Sequence, residues 1–74
     1  MKIEWEDGFE VSVAVESDTV VISANREGLL SLARQLTALA DECKGSHIHY
    51  DPYNSLEEGS LEMVIQKGAG MVAN

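Results

Sequence analysis

Three side chains able to ligate a metal or move a proton stand at alternate positions in the run GSHIHYDPY, from Gly45 to Tyr53. They are His47, His49 and Asp51, and the chain has no other histidine. Alternate residues of an extended strand point to one side, so both imidazoles would sit together, with Asp51 as a third ligand or an orienting carboxylate. Two histidines one residue apart also arise often by chance, which makes this a weak metal signature. Acid-base catalysis needs a concave pocket that excludes water, and a strand on an open sheet supplies little shelter. No glycine-rich phosphate loop, nucleophile elbow or paired-carboxylate motif is present, and Ser46 and Ser60 have no activating partner in the pattern. The remaining use of such a strand is recognition. Its polar side chains, with Tyr53 in the loop that follows, would give hydrogen bonds and contact area to another protein.

The elements that position these residues are legible from periodicity. Ile48 and Tyr50 fall in the core-facing phase, so Ser46 to Asp51 read as a strand halted at Pro52. Leu61, Met63 and Ile65 alternate with Glu62, Val64 and Gln66 as another strand. The loop between them, Pro52 to Ser60, is longer than a tight hairpin requires and is of the kind that carries contacts. Upstream, Phe9, Val11, Val13 and Val15 alternate with Glu10, Ser12, Ala14 and Glu16, and Ile3 and Trp5 alternate with Lys2, Glu4 and Glu6. A three-residue turn, Glu6-Asp7-Gly8 with Gly8 left-handed, sets Trp5 opposite Phe9 and keeps both apolar sets on one side, which a two-residue turn fails to do. A two-residue Ser17-Asp18 turn aligns Val15 with Val20 and Val13 with Ile22, giving a third strand from Thr19 to Ser23.

Asn25 suits a helix N-cap and Glu27 its first turn. Leu29, Leu32, Ala33, Leu36, Leu39, Ala40 and Cys43 follow at helical spacing as the stripe that would face the core. Lys44 suits the last turn and Gly45 a left-handed C-terminal residue. Gly28 is costly inside a helix, so close approach of the helix to the sheet is its expected reason. These elements predict an α+β two-layer sandwich: a five-stranded, mostly antiparallel sheet, β-β-β-α-β-β along the chain, with one helix on one face. The pattern leaves open whether the last hairpin joins beside the first or the third strand. Residues 1–67 form a single domain in this reading, and residues 68–74 a tail.

Seventy-four residues with a 45% hydrophobic composition suffice for one shallow core. The single cysteine allows no intrachain disulfide and no cysteine-built zinc site, and fits a reducing cytoplasm. No segment has the apolar length of a signal peptide or a membrane span. A net charge of −8 repels nucleic acid and anionic membranes and attracts a basic protein. Within the helix three bases (Arg26, Arg34, Lys44) cancel three acids (Glu27, Asp41, Glu42), so the whole excess falls on strands, turns and loop. On the registers above, the uncovered face displays Glu4, Glu10, Glu16, His47, His49, Asp51 and Glu62, with Glu4 directly across from Glu10. Such a like-charge pair costs stability, up to about 1 kcal/mol. Solubility alone accounts for scattered charges on an open sheet; their concentration on one side favours a cationic partner.

The run ANREGLLSLARQLTALA, then GSHIHYD, then EEGSLEMVI resembles the immunity protein 32 family of bacterial polymorphic toxin systems. Asn25, Gly28, Leu29, Leu32 and Ala33 match its helix start; Ser46, His47, His49 and Asp51 its histidine strand; and Gly59, Ser60, Glu62 and Ile65 its terminal strand. Tyr50 stands where the family pattern has an aliphatic residue, and Met63 where it has leucine; both remain apolar. The resemblance covers the second half of the chain and implies a cytoplasmic α+β protein that binds and neutralises a toxin encoded beside it; the residues themselves favour a binding module without catalysis. It carries over no toxin-contact residue. The expected contact set, Glu4, Glu10, Glu16, His47, His49, Asp51, Tyr53 and Glu62, rests on the register argument, with a basic protein toxin as partner and no metal or cofactor. Two alternatives stand beside it: a metal-binding protein using His47, His49 and Asp51, and a homo-oligomer. An acidic face repels its own copy, so pairing of edge strands is the route to a homodimer.

Overall fold

A computed structural model describes residues 1–68. It contains β1 (Val11–Glu16), β2 (Thr19–Ala24), α1 (Arg26–Ala40), β3 (His47–Tyr50) and β4 (Met63–Gln66) in chain order. The α+β class is as expected, but the sheet is not. Instead of one five-stranded sheet there are two separate two-stranded antiparallel sheets, β1-β2 and β3-β4.

The missing strand is the first one, and hydrogen bonding explains why. Its turn forms as anticipated, with Gly8 left-handed at φ 81° and Phe9 N–H donating to Glu6 C=O at 3.1 Å. Beyond the turn, however, Glu6 N–H donates to Ser31 Oγ at 2.8 Å, and Glu4 C=O accepts from Gln35 Nε2 at 2.8 Å. Two backbone groups of residues 1–6 are thus partnered by side chains of α1. The edge of β1 that this segment was expected to pair is taken by the segment ahead of β4. Glu57 N–H donates to Val11 C=O at 2.8 Å, Leu61 N–H to Val13 C=O at 2.9 Å, and Val13 N–H to Ser60 Oγ at 3.2 Å. With no strand over residues 1–6, Glu4 and Glu10 do not form a cross-strand pair.

The β1-β2 hairpin has the expected register. Ser17 and Asp18 are both left-handed (φ 49° and 66°), and Val15 pairs with Val20 and Val13 with Ile22. A turn left-handed at both central residues twists in the sense the strands need.

Helix α1 differs from the sequence reading at its end and in its facing. It ends at Ala40 with Asp41 as C-cap, so Lys44 and Cys43 lie outside it, and Cys43 is exposed rather than buried. The last turn carries no basic residue of its own; Lys67 Nζ, arriving from the end of β4, donates to Ala40 C=O at 2.5 Å and supplies the cation that a helix C-terminus favours. The buried face is Gly28, Ser31, Gln35 and Leu39, while Leu29 and Leu36 of the expected stripe are exposed. Gly28 decides this. A β-carbon there would lie 2.5 Å from Glu10 O, 2.9 Å from Val11 Cγ2 and 3.1 Å from Ala24 Cβ. The helix is therefore pressed onto the base of the hairpin at Gly28, and the two buried polar residues, Ser31 and Gln35, are accepted because each is bonded.

The N-cap ties these parts together. Asn25 Oδ1 accepts from Gly28 N–H at 2.8 Å and Glu10 N–H at 2.9 Å, and its Nδ2 donates to Gly8 C=O at 2.9 Å. Val11, Val13, Leu39, Ile48, Tyr50 and Leu56 form the buried core, with Trp5, Phe9 and Leu32 among the residues packed around it. Trp5 stacks on Phe9 with centroids 4.2 Å apart and meets Tyr50 edge-on at 6.0 Å. The tail expected over residues 68–74 lies, beyond Gly68, outside the described residues.

Candidate functional site

Strand β3 has the phase the sequence predicts. Ile48 and Tyr50 are buried, and His47 and His49 are exposed on the opposite side. Pairing with β4 sets His47 across from Gln66 and His49 across from Val64. His49 Nε2 lies 2.8 Å from Glu62 Oε1, an ion pair when the imidazole is protonated, with both side chains largely in solvent. His47 Nδ1 comes within 3.4 Å of its neighbour Gly45 C=O.

Asp51 does not join them. Its Oδ1 accepts from Tyr53 N–H at 2.8 Å and Asn54 N–H at 2.9 Å, and its C=O accepts from Ser55 and Leu56 N–H, both at 2.9 Å. The carboxylate is thereby committed to closing the turn after Pro52, an Asx turn. Among the described residues no group of three or more His, Cys, Asp or Glu side chains is placed to hold a metal ion. The carboxylate expected as third ligand faces backbone amides instead.

The 52–60 loop is built rather than loose. Leu56 is buried in the core, Asn54 Nδ2 donates to His49 C=O at 3.1 Å, and Ser60 N–H donates to Glu57 C=O at 3.1 Å with Gly59 left-handed between them. This frame holds Tyr53 entirely in solvent, 100% exposed, near Glu57 and Glu58 in the same loop. The remaining expected site residues are dispersed. Glu4 lies on the N-terminal segment against α1, Glu10 precedes β1, and Glu16 ends β1 opposite Thr19 at the hairpin tip. The single five-stranded sheet that was to carry them all is not formed, and the expected residues on or beside the β3-β4 hairpin are His47, His49 and Glu62, with Tyr53 on the adjoining loop.

Two features escape the sequence pattern. Behind the histidine strand, Tyr50 O–H donates to Gln35 Oε1 at 2.8 Å, and Gln35 passes the chain on to Glu4 C=O. Burial raises the Tyr50 phenol to about 12 from its usual 10.0. A polar residue on a helix gives no hint of burial until its partners are known. Beside β3, the N-terminal segment borders an open groove of about 490 Å³, lined by Met1, Ile3, Trp5, His47 and His49 among others. It exists because residues 1–6 run alongside without pairing as a strand.

The site is thus an exposed polar hairpin face beside a hydrogen-bonded loop, on a small α+β domain. The chain matches the family model described as Immunity protein 32 over residues 19–68, most of its length, and belongs to that family. No curated protein and no solved structure matches it. No helix among the described residues is long and apolar enough to cross a membrane.

Proposed function

We propose that this immunity-family protein acts without catalysis, binding a cognate bacterial toxin whose contact surface is basic. Tyr53, His49, Glu62 and His47 are its centre of contact, and Asp51 holds the loop that presents Tyr53. The observation that carries this reading is the complete exposure of Tyr53 on a loop whose backbone is otherwise tied down. A tyrosine held in water by an ordered frame costs little further entropy when a partner covers it, and tyrosine is among the residues that dominate binding energy. The chain's net charge of −8 supports a cationic partner, such as a nuclease-type toxin with a positively charged substrate channel. Glu4, Glu10 and Glu16 contribute in this scheme to long-range attraction.

The test is association with the toxin encoded beside the gene. Its on-rate should fall as ionic strength rises, and Tyr53→Ala should weaken affinity by about 2 kcal/mol or more, as a central aromatic does. An on-rate indifferent to salt together with an unaltered Tyr53→Ala affinity would refute both the surface and the charge argument.

A further inference from the structure

We infer that the outer edge of β2 and the apolar flank beside it form a twofold interface with a second copy of this chain. The inference does not rest on the toxin-binding reading, whose centre of contact is the β3-β4 hairpin and the 52–60 loop; only Glu16 is common to the two. In the β1-β2 ladder, Glu16 and Thr19 flank the two-residue turn as a hydrogen-bonded pair, so Val21 and Ser23 bond inward while Val20 and Ile22 direct N–H and C=O outward. On β1 the equivalent outward groups, at Val11 and Val13, are bonded by Glu57, Ser60 and Leu61. At Val20 and Ile22 they have no backbone partner among the described residues. The strand itself carries none of the residues that guard an edge: Thr19–Ala24 contains no charge, no proline and no glycine.

An apolar surface adjoins this edge. At about 100° per residue, Leu32, Leu36 and Leu29 lie progressively further round one flank of α1 from Gly28, and Ser31, Gln35 and Arg34 lie on the other. The second flank is covered by the N-terminal segment, through Glu4 and Glu6. The leucine flank is thus the one turned away from the N-terminal segment, and on the hairpin, against whose base α1 packs at Gly28, Val15, Val20 and Ile22 share a face with the core residues Val11 and Val13. Val15, Val20, Ile22, Leu29 and Leu36 are each between 41 and 57% or, for Val20, 63% exposed. Together they offer apolar area on the order of the ~500 Å² per partner that a specific interface needs.

Charge selects a second copy as the occupant. Antiparallel pairing through Val20 and Ile22 about a twofold axis lays the hairpin tip of one copy at the strand base of the other. The exposed acids Glu16 and Asp18 then approach Arg26 of the second copy, whose own nearest carboxylate is 3.9 Å away on Glu27. The twofold repeats each contact. Elsewhere two chains of charge −8 repel, and this uncharged strand with a cation at one end and acids at the other is where they can meet.

Sedimentation of the full chain over a concentration series tests this, with amide exchange at Val20 and Ile22. The expected result is a dimer, with protection of those two amides that grows with protein concentration. Val20→Lys and Arg26→Glu should each weaken the dimer by roughly tenfold or more, and adding Glu16→Arg with Asp18→Arg to Arg26→Glu should restore it. Circular-dichroism spectra and melting curves that match the unmutated chain at a dilution where all are monomeric establish that these exposed substitutions leave the fold intact. A monomer up to submillimolar concentration overturns the inference, as does a dimer indifferent to both single substitutions. Protection independent of concentration, or protection only with the toxin bound, overturns it too.

Discussion

Replacing Gly28 by alanine should destabilise this protein, although the same exchange in an exposed helix stabilises. Ordinary helix propensity favours alanine by up to about 1 kcal/mol, and less in a first turn. Against this, the new methyl group would sit 2.5 Å from Glu10 O and 2.9 Å from Val11 Cγ2. A carbon and a carbonyl oxygen rest at about 3.3 Å or more, so helix and strand must part by roughly 0.8 Å. Neither side can yield freely. Glu10 C=O accepts from Asn25 N–H at 3.1 Å, Glu10 N–H is held by the Asn25 side chain, and Val11 lies in the β1 ladder and the core. Overpacking of this kind costs about 1–3 kcal/mol, and the separation also weakens the contacts of Val11 and Ala24. The net expectation is a loss of about 1–2 kcal/mol, which for a domain of this size lowers the melting temperature by roughly 5–15 °C. Urea unfolding followed by Trp5 fluorescence, with a thermal melt by circular dichroism, measures it. Thr37→Ala, on the exposed face of α1, is the control and should be neutral or slightly stabilising. Gly28→Ala as stable as the unmutated chain, or more so, would refute the close-approach argument and with it the account of why α1 turns its leucines outward.

Other outcomes follow from the buried hydrogen-bond chain and the helix end. Tyr50→Phe removes the donor to Gln35 Oε1 and leaves a buried acceptor without a partner, so it should cost about 1–3 kcal/mol in the same urea titration. Because burial holds the Tyr50 phenol at about 12 against 10.0 when unfolded, the folded state keeps a proton that the unfolded chain releases. Stability contributed by this group is therefore full below pH 10 and is lost between pH 10 and 12, by up to about 2–3 kcal/mol; Tyr50→Phe should flatten that part of the profile. Cys43, exposed just beyond α1, should be alkylated by iodoacetamide in native buffer as completely as in urea; strong protection would place it back in the core.

Local patterns were well encoded in the chain. Alternation placed Ile48 and Tyr50 inward and His47 and His49 outward, the Ser17-Asp18 turn set the β1-β2 register, and Asn25 and Gly28 announced a helix start pressed against strands. Each depends on neighbours within a few residues, which periodicity and turn chemistry capture. The phase of the histidine strand was legible to the same extent: His47 and His49 point outward as expected, while Asp51, expected to project beside them, has its Oδ1 in an Asx turn, a use the alternation does not announce. Nothing in the spacing announced that Leu56 would reach from the loop into the core.

What the sequence by itself determined, then, was the type of each local element and which side chains of a hairpin share a face. Tertiary structure decided how backbone edges were shared out. Residues 1–6 alternate like a strand, yet Ser31 and Gln35 bond Glu6 N–H and Glu4 C=O, and the Glu57–Leu61 segment occupies the edge residues 1–6 would have used. The leucine stripe of α1 reads as the core face, yet the one position without a β-carbon allows the closest packing and turns that stripe aside. Competition for a single strand edge and the contact distance at a single glycine are long-range matters, and neither leaves a period in the chain.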